Sequence, residues 1–454
     1  MLTVKQKKTN MRHHLCDKPK LKTKMKKTTF IKVIIGSLIS INAYCQSPVD
    51  ENGALSVNGS HIVNEDGDIV SFAGNSLFWS MAGQNAGSYE GEAYYNADVV
   101  NWLADDWSSE VVRCAMGVYE SWVPGGMGYL ASAADSIAES NKVRTVVDAA
   151  IAKGVYVIID WHSHIADQQE DDAIAFFEMM ATEYGDYDNV IYEIFNEPTN
   201  QSWSNDIKPY AENVITAIRA IDPDNLILVG TPQWDQQPDI ASQDPITGHT
   251  NIAYTVHFYA ASHGASIRQN AQTAIDNGIA LFCSEWGTVL ANGGGSPDQT
   301  STDEWMDFFC ENSISHCNWS IGDKNEGASA LQPMSSTAGN WSSSDLTASG
   351  TIVKSIVSGW SARECDPLPG SGSAHISEEK TSSLNIWPNP ANDLVTFEQK
   401  GKFEVLIYDI SGKIVMQTNA NDKVSINIIG LESGPYLCEI NSENDFKKEL
   451  LIKK

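Results

Sequence analysis

The chain has 454 residues, 42% of them hydrophobic, and a formal net charge of −28 at pH 7. This length allows one large domain and a smaller one. The strong negative charge argues against nucleic acid or anionic membrane surfaces as partners. Eleven of the 30 basic residues, but only one of the 58 acidic residues, lie within positions 1–45, so the rest of the chain is more acidic still.

Residues 1–45 are predicted to be a basic leader followed by a secretory signal peptide. Lysines around Met25 precede an apolar stretch at 33–41, and small residues stand at the −3 and −1 positions of a cut after Cys45. The apolar stretch is too short for a stable membrane span. Two alternatives remain open: lipidation of Cys45, which the bulky Tyr44 disfavours, and translation from Met25 rather than from the first residue.

The cysteines permit disulfides in an exported protein. Six remain after Cys16 and Cys45 are removed, an even count whose pairing the sequence leaves open. Cys114, Cys283 and Cys317 lie in strand-like runs, where we expect buried thiols. No Cys-x-x-Cys pair occurs, which argues against a zinc ribbon.

From residue 69 onward, apolar strand-like runs alternate with helix-length amphipathic segments such as 142–153, 173–184, 207–221 and 303–312. Eight such runs are predicted as strands: 69–77, 111–117, 155–162, 190–198, 226–234, 252–260, 280–287 and 315–322. This alternation predicts a parallel sheet with helices outside it. Eight units favour a closed (β/α)8 TIM barrel, an α/β fold, over residues 46–362.

The C-terminal part of the chain has a different composition. Residues 363–380 are rich in Pro, Gly, Ser and Glu and are predicted to be a linker. Short alternating strands follow within 381–454, at 394–398, 403–408, 413–417, 424–428 and 436–440, with a turn at 409–412. They predict a small β-sandwich domain.

Polar and aromatic residues stand at the ends of the predicted barrel strands. The C-terminal ends of all eight strands meet at one face of such a barrel, where its active sites lie. That face should carry Arg113, His162, Asn196, Glu197, Trp234, His257, Tyr259, Glu285 and Trp319.

Glu197 and Glu285 each follow an apolar strand, the fourth and the seventh, which lie across the barrel from each other. Two carboxylates about 5 Å apart suit a retaining glycosidase, which needs a proton donor and a nucleophile. A single glutamate after a strand is usually a solvated loop residue or a helix cap. Two of them among several other polar strand ends favour catalysis.

The neighbouring polar residues suggest separate roles for the two carboxylates. Arg113 and Tyr259 could hold Glu285 ionised by charge and hydrogen bonding, while His257 supports Glu197 as the protonated acid. Asn196 is suited to bind the 2-hydroxyl group of a sugar.

The other strand-end residues have competing interpretations. Trp234 and Trp319 could be core residues, but indole rings also stack on sugars, and their positions favour substrate contact. His162 and His164 could ligate a metal, yet no carboxylate cluster completes such a site and a hydrogen-bonding role is favoured for His162. The acidic chain leaves calcium binding open, but no EF-hand-like loop occurs, and we expect no metal in the site and no cofactor.

These motifs resemble the family 5 glycoside hydrolases, in particular their bacterial endoglucanases, over roughly residues 50–360. The resemblance rests on six motifs in order: VRCAM at 112–116, IIDWH at 158–162, IYEIFNEP at 191–198, HFYA at 257–260, SEWGT at 284–288 and NWS at 318–320. It implies that Glu197 is the acid/base and Glu285 the nucleophile. Arg113, His162, Asn196, His257, Tyr259 and Trp319 match the family's other active-site positions. Trp79, Trp234 and Lys324 resemble its substrate-subsite residues.

The C-terminal domain also has a family resemblance. LNIWPNP at 384–390, YDISGK at 408–413 and the final two lysines are similar to the sorting domain of the type IX secretion route. The resemblance implies export by that machinery to the cell surface or the medium. Three aromatic residues, Trp387, Tyr408 and Tyr436, are too few for a flat glycan-binding platform.

We therefore expect a secreted, monomeric endo-β-1,4-glucanase that acts on a β-glucan polysaccharide with retention. An endo-β-mannanase, a xylanase or a mixed-linkage glucanase on the same fold is the first alternative. A non-catalytic glycan-binding protein of the cell surface is the second, which the intact glutamate pair disfavours. The motifs shared within the family do not select the glycan.

Overall fold

The computed structural model describes residues 46–81, 91–119, 121, 126–363, 385–408, 413–431, 433–442 and 445–454. The predicted leader and signal peptide, nearly all of the predicted linker, and the predicted turn at 409–412 lie outside the described residues. The chain divides into two compact units, Met1–Leu368 and Pro369–Lys454.

The larger unit contains a closed barrel of parallel strands, as the alternating pattern predicts. A short helix, α1 (Pro48–Asn52), and an antiparallel pair, β1 (Ser56–Asn58) and β2 (His61–Val63), precede it. The barrel strands are β3 (Ala73–Leu77), β4 (Val111–Gly117), β5 (Tyr156–His162), β6 (Val190–Glu193), β7 (Ile227–Val229), β8 (Ile252–Thr255), β9 (Phe258–Tyr259), β10 (Leu281–Gly287) and β11 (Ser315–Ile321). Neighbouring strands pair in parallel; β8 and β9 are two segments of the sixth barrel strand, and each pairs with β10. β11 closes the barrel by pairing with both β10 and β3.

Four barrel strands differ clearly from their predicted extents. The first begins at Ala73 and not at residue 69, and the fifth, expected over 226–234, ends at Val229, so that Trp234 lies in the turn that follows it. The fourth was expected over 190–198, but its ladder ends at Glu193, and Glu197 has a left-handed backbone with φ of 51°. The sixth was expected to be continuous over 252–260, but it is broken into β8 and β9. The break occurs where the backbone N–H of His257 donates to the carbonyl oxygen of Asp235 (2.9 Å) and not to a neighbouring strand. The departures in the fourth, fifth and sixth strands lie at the face that carries the candidate site.

Helices surround the barrel in the order expected for βα units. They are α2 (Ala97–Asp106), α3 (Ala133–Lys153), α4 (Glu170–Tyr184), α5 (Lys208–Arg219), the short turn α6 (Pro232–Asp235), α7 (Pro238–Gln243), α8 (Ala265–Asp276), α9 (Gln299–Glu311) and α10 (Ala348–Gly359). Single turns lie at Gly91–Tyr94, Ala166–Gln168, Trp203–Ile207 and Trp360–Ala362. Side chains cap several N-termini, for example Ser132 at α3, and Gly154 ends α3 in the left-handed conformation with φ of 69°.

Strand alternation explains why charged residues lie inside the barrel. On β4, Val112 and Cys114 face the helices, so Arg113 between them faces the interior. The base of the interior is an apolar cluster, to which the N-terminal segment contributes Leu55 and Ile62. Its other members are Phe72, Val111, Tyr156, Ile158, Ile191, Leu226, Leu228, Ala253, Ala280, Phe282 and Cys317. The next inward positions on five of the strands are polar and form the floor of the candidate site: Arg113, Asp160, Glu193, Thr255 and Ser284.

The described cysteines agree with the expectation of buried thiols. Cys114, Cys283 and Cys317 are free and buried, whereas Cys310 on α9 is disulfide-bonded. Among the described helices, none is both long enough and apolar enough to cross a membrane.

The smaller unit is an antiparallel sheet that folds around one core. Its strands are β12 (Asn385–Trp387), β13 (Leu394–Tyr408), β14 (Ile414–Asn427), β15 (Gly434–Ser442) and β16 (Asp445–Lys453). The register of β13 against β14 shifts between Gln399 and Lys402; β12 pairs with β13 before this shift and β15 pairs with it afterwards. Residues of both halves, such as Phe397 and Val405, share one hydrophobic core, as a β-sandwich requires. The sequence reading missed β12 and β16 as strands.

Candidate active site

Arg113 lies at the centre of a buried group of charges. Its Nε and Nη2 bind the two carboxylate oxygens of Glu193 (2.7 and 3.1 Å), and its Nη1 binds Oε2 of Glu285 (3.0 Å). Nη2 also contacts Oδ2 of Asp160 (2.9 Å) and Oδ1 of Asn196 (2.7 Å). Burial alone would lower the pKa of Arg113, but the three carboxylates outweigh it and raise the pKa well above its usual value. The guanidinium is therefore a permanent cation beside Glu285.

Glu285 lies near the C-terminal end of β10, and both of its carboxylate oxygens accept hydrogen bonds. Oε2 accepts from Arg113, and Oε1 accepts from the hydroxyl of Tyr259 (2.7 Å). A carboxylate that accepts two hydrogen bonds, one of them from a cation, is oriented and stabilised in its ionised form. Arg113 and Tyr259 therefore contact Glu285 in the way that the sequence predicts.

Glu197 follows β6 and is held by its backbone and its side chain. Its backbone N–H donates to Oδ2 of Asp235 (2.9 Å), and its carbonyl oxygen faces Nδ1 of His164 (3.0 Å). Its Oε1 lies 3.1 Å from Nδ1 of His257. The predicted contact between His257 and Glu197 is present, while Asp235 is a partner that the sequence reading did not identify.

A chain of hydrogen bonds fixes the orientation of the His257 ring. The hydroxyl of Ser284 donates to Oε1 of Glu193 (2.6 Å), so its oxygen is left to accept from Nε2 of His257 (2.8 Å). Nε2 therefore carries a proton, and Nδ1 is the nitrogen that faces Glu197. The Nδ1–Oε1 contact can hold one shared proton, either on the imidazole or on the carboxyl group.

The two candidate catalytic glutamates face each other at close range. One carboxylate oxygen of each, together with a ring nitrogen of His257, lies within 4.8 Å of the others. A pocket of about 440 Å³ opens beside them, lined by Glu197, Trp234, Gln236, Tyr259, His263 and Ala291. This separation suits a nucleophile and an acid that act on the same bond, and it is shorter than the roughly 6.5–9.5 Å between carboxyl groups that inversion needs.

The pKa directions show how the cluster shares its protons. Burial alone would raise the pKa of Glu197, but the hydrogen bond and charge of His257 outweigh it and lower the pKa. Burial and then the charge of Glu197 raise the pKa of Glu285, against His257, Arg113 and Tyr259. In the free protein the shared proton is therefore on His257. When it moves to Glu197, the charge of Glu197 no longer raises the pKa of Glu285 and the charge of His257 no longer lowers it, while Arg113 and Tyr259 remain to keep Glu285 ionised.

Asn196 has one amide end fixed and the other end unused. Its Oδ1 accepts from Arg113 (2.7 Å), which turns the amide nitrogen away from the guanidinium. This nitrogen is buried and lacks a hydrogen-bond partner among the described residues. An unpaired buried donor beside the two candidate carboxylates is available to a substrate hydroxyl.

His162 ends β5 and is oriented from both sides. Its Nδ1 contacts Oδ2 of Asp160 (2.7 Å), and its Nε2 accepts from the indole N–H of Trp79 (2.9 Å). Burial, followed by the charge of Arg113, lowers the pKa of His162 well below its usual value, so the ring is neutral. Trp319 stacks on this ring at 5.2 Å between centroids, with 8° between the planes. The hydrogen-bonding role predicted for His162 agrees with this arrangement.

The predicted substrate residues fall into two groups. Trp79, Trp319 and the aromatic Phe78 pack together on one side, and Lys324 stands over the Phe78 ring at 5.4 Å. Lys324 also pairs with Glu326 (2.6 Å), which the sequence reading missed. Trp234 stands apart, lining the pocket beside Glu197 with 42% of its surface exposed. The structure thus brings all eleven predicted residues to the same barrel face, with Trp234 separated from the other two indoles.

Several residues beyond the prediction also contribute to the site, among them Ser284, Asp235 and Glu326. Ser284 could have been predicted from the sequence, because it is two residues beyond the inward-facing Phe282 on β10 and strand alternation turns it inward as well. Asp235 and Glu326 lie in loops that follow β7 and β11. The loop conformation decides where their side chains point, so the alternation of side chains along a strand does not predict it.

The three-ligand cluster of Glu197, His257 and Glu285 has a spacing that could hold a cation. However, both ring nitrogens of His257 are engaged with protein groups, and a metal needs a free nitrogen lone pair on a neutral ring. The geometry favours acid–base chemistry at this cluster.

Residues 63–325 match the sequence model of cellulase, glycosyl hydrolase family 5, and residues 385–454 match that of a secretion system C-terminal sorting domain. Endoglucanase Z of Dickeya dadantii is 55% identical over 306 residues, which cover 67% of this chain and 66% of that protein. An endoglucanase of Clostridium saccharobutylicum is 38% identical over 356 residues, covering 74% of this chain and 75% of that protein. The chain therefore spans about two thirds to three quarters of the length of these relatives.

Solved structures show the same similarity. A protein from Cytophaga hutchinsonii is 47% identical with a TM-score of 0.63, covering 68% of this chain and 96% of that chain. The catalytic domain of an endoglucanase from Thermobifida fusca is 31% identical with a TM-score of 0.62, covering 68% of this chain and 99% of that one. Since the family model spans more than half of the sequence, the chain belongs to glycosyl hydrolase family 5, the cellulase family.

Proposed function

We propose that the protein is a secreted endo-β-1,4-glucanase that cleaves internal bonds of cellulose-type glucans with retention of configuration. The observation that carries the proposal is the glutamate pair. The carboxylates of Glu197 and Glu285 lie within 4.8 Å, one beside a histidine that can supply a proton and the other beside a permanent cation. That asymmetry supports Glu197 as the acid/base and Glu285 as the nucleophile.

In the first step, an oxygen of Glu285 attacks the anomeric carbon and forms a glycosyl ester. The bond from that carbon to the leaving oxygen breaks, and Glu197 gives its proton to that oxygen. His257 can return the shared proton to Glu197 across the 3.1 Å contact as the substrate enters. Tyr259 and Arg113 hold the attacking carboxylate in place.

In the second step, Glu197 acts as a base. Its carboxylate takes a proton from water, the water oxygen attacks the anomeric carbon, and the ester bond to Glu285 breaks. Two displacements at the same carbon restore the β configuration. The free amide nitrogen of Asn196 can donate to the sugar 2-hydroxyl, a contact that strengthens in the transition state.

The choice of a β-1,4-glucan rests on the relatives. The two similar proteins from Dickeya dadantii and Clostridium saccharobutylicum are both named endoglucanases. A variant of the Thermobifida fusca endoglucanase, 30% identical to this chain, was solved with cellotetraose. The exposed Trp234 and the aromatic group of Trp79 and Trp319 offer ring faces on which pyranose rings can stack.

Export is supported by three independent features of the chain. Residues 385–454 match a secretion sorting domain, which we assign to the type IX route. Cys310 is disulfide-bonded, and disulfides persist in oxidising compartments outside the cytosol. The basic and apolar pattern within 1–45 is that of a signal peptide. The proposed partners are therefore the glucan and the secretion machinery.

The decisive experiment compares the wild-type chain with Glu285→Gln on carboxymethyl cellulose. Loss of the nucleophile should abolish turnover, whereas Glu178→Gln, a matched change of an exposed glutamate on α4, should leave it intact. Turnover by the Glu285→Gln variant would refute the assignment. NMR of the first product should show the β anomer; an α anomer appearing first would mean inversion.

The glycan is tested by product analysis on carboxymethyl cellulose, lichenan, mannan and xylan side by side. Preference for carboxymethyl cellulose supports the proposal. Preference for lichenan, mannan or xylan would make the chain a mixed-linkage glucanase, a mannanase or a xylanase instead. Binding of glucan oligomers without cleavage would identify a glycan-binding protein.

A further inference from the structure

The turn after β7 has an unusual backbone. Gln233, Trp234 and Asp235 are three consecutive residues with positive φ, at 58°, 56° and 57°. Such φ values are disfavoured for residues other than glycine and persist where surrounding contacts enforce them. The turn is joined to the loop after β6, because the backbone N–H of Trp234 donates to the carbonyl oxygen of Pro198 (2.8 Å). Trp234 thereby points to the pocket while Asp235 is completely buried.

The buried carboxylate of Asp235 contacts the candidate acid and its histidine at once. Its Oδ2 accepts from the backbone N–H of Glu197 (2.9 Å) and lies 3.4 Å from Nδ1 of His257. Its Oδ1 accepts from the backbone N–H of Thr231, and its carbonyl oxygen accepts from the backbone N–H of His257 (2.9 Å). One residue thus fixes the left-handed backbone of Glu197, ends β8 before His257, and places a second carboxylate at the shared proton.

We propose that Asp235 is a positioning residue for the acid: its carboxylate fixes Glu197 and keeps a proton on the His257–Glu197 pair. The proposal rests on the proposed function, since it concerns the acid of that reaction. Asp235 needs no contact with the substrate for this role. It acts through Nδ1 of His257, which both Asp235 and Glu197 contact, and through the backbone of Glu197, whose conformation orients the Glu197 side chain.

Charge favours this role for Asp235. Burial alone would lower the pKa of His257, but the charge of Asp235 and the hydrogen bond that the ring donates to Glu197 outweigh it and raise the pKa to about 9. Burial raises the pKa of Asp235 itself to about 6, against the charge of His257, so its carboxylate is mainly ionised at neutral pH. Other charged and titratable groups face this pair from neighbouring elements, and the substitutions leave them in the chain: Arg113, His162, His164, Glu193, Tyr259, His263 and Glu285.

The test uses two variants of the full chain. Asp235→Asn keeps an oxygen for the Glu197 N–H and tolerates the left-handed backbone, while Asp235→Gly adopts φ of 57° freely and removes the side chain. Asp239→Asn is the matched control, because Asp239 is a half-buried aspartate four residues later, at the start of α7. The readouts are the pH profile of kcat/KM on carboxymethyl cellulose and the titration of the His257 ring by NMR.

In both Asp235 variants, the alkaline limb of kcat/KM and the pKa of His257 should move to lower pH by about 1 unit. The control should match the wild type. An unchanged His257 titration, or an activity loss of the same size at every pH, would overturn the proposal. If neither variant folds, the wild type still decides, because a His257 pKa at or below its ordinary value is incompatible with the proposed role. A wild type that cleaves no glucan refutes the proposed function alone, since the NMR titration needs no turnover.

Discussion

Arg113 and Glu193 form a two-point ion pair inside the barrel, with Nε and Nη2 of the guanidinium 2.7 and 3.1 Å from the two carboxylate oxygens. Both side chains are fully buried. Glu193 also accepts from Ser284, which in turn accepts from His257. This glutamate therefore connects the cation beside the candidate nucleophile with the histidine beside the candidate acid, although it does not reach the pocket.

Glu193→Gln should lower the free energy of unfolding by about 2–4 kcal/mol. Removing one partner of a buried ion pair leaves the other charge poorly compensated, while Asp160 and Glu285 still offset part of the Arg113 charge. Chemical denaturation at neutral pH measures the difference. The same substitution should also reduce activity, because the orientation of Arg113 and of His257 depends on this carboxylate.

The surface pair of Arg144 and Glu183 is the matched control. It has the same two-point geometry, with contacts of 2.6 and 2.7 Å, but both side chains are partly exposed. Glu183→Gln should cost no more than about 1 kcal/mol, since water screens and competes with exposed ion pairs. Equal losses in the two variants would show that burial does not control the strength of the Arg113 pair.

Tyr259→Phe should slow the reaction and shift its acid limb. The substitution removes the 2.7 Å hydrogen bond to Glu285, so kcat/KM should fall roughly 10–100-fold, as expected for a hydrogen bond to a charged group. That bond lowers the pKa of Glu285, so its loss raises this pKa and moves the acid limb to higher pH. Tyr187→Phe, at an exposed tyrosine, is the control. An acid limb at its wild-type position would exclude Tyr259 as a partner of the ionised nucleophile.

Much of the site could be predicted because strand periodicity and chemistry point to the same positions. Alternation along β4 places Arg113 inside the barrel, and the apolar runs before Glu197 and Glu285 place both at one face. The strand-end positions of His257 and Tyr259 follow from the same reasoning. These features are local in sequence, or follow from the rule that parallel strands end together.

The remainder depends on contacts between distant segments. The ladder of β6 stops at Glu193, and the sixth strand breaks before His257, where the turn at Asp235 takes over the backbone hydrogen bonds. Nothing in the local sequence indicates three left-handed residues in that turn. The missed strand β16 (Asp445–Lys453) contains several charged residues, which mask a strand pattern but are common on the edge strand of a sheet.

Trp234→Gly should weaken substrate binding more than it affects folding. Trp234 has a φ of 56° and is 42% exposed at the pocket, so glycine removes the indole without backbone strain and with little loss of packing. If a sugar ring stacks there, KM should rise roughly tenfold, since an aromatic contact contributes about 0.5–1.5 kcal/mol beyond the area it buries. Kinetics on soluble cellulose derivatives and thermal unfolding measure the two effects. An unchanged KM would remove Trp234 from the substrate residues.

Glu110, which precedes β4, should make the protein less stable as the pH rises. Burial, opposed by a hydrogen bond from the backbone N–H of Ala73, raises the pKa of Glu110 from 4.5 to about 7, and the charge of Glu51 adds to the rise. Between those two values the folded state binds more protons than the unfolded state, so the free energy of unfolding falls with increasing pH. The stabilisation is complete below pH 4.5 and is lost as the pH passes 7.

Glu110→Gln should remove this dependence, because the neutral amide keeps an oxygen for the N–H of Ala73 and has no charge to bury. The variant should match the wild type near pH 4 and be more stable at pH 8, by on the order of 2–3 kcal/mol. Urea unfolding at the two pH values measures the difference, with Glu178→Gln as the exposed control. A variant that is less stable than the wild type at pH 8 would contradict this. It would mean that the contacts of the ionised Glu110 carboxylate stabilise the fold by more than the burial of its charge costs.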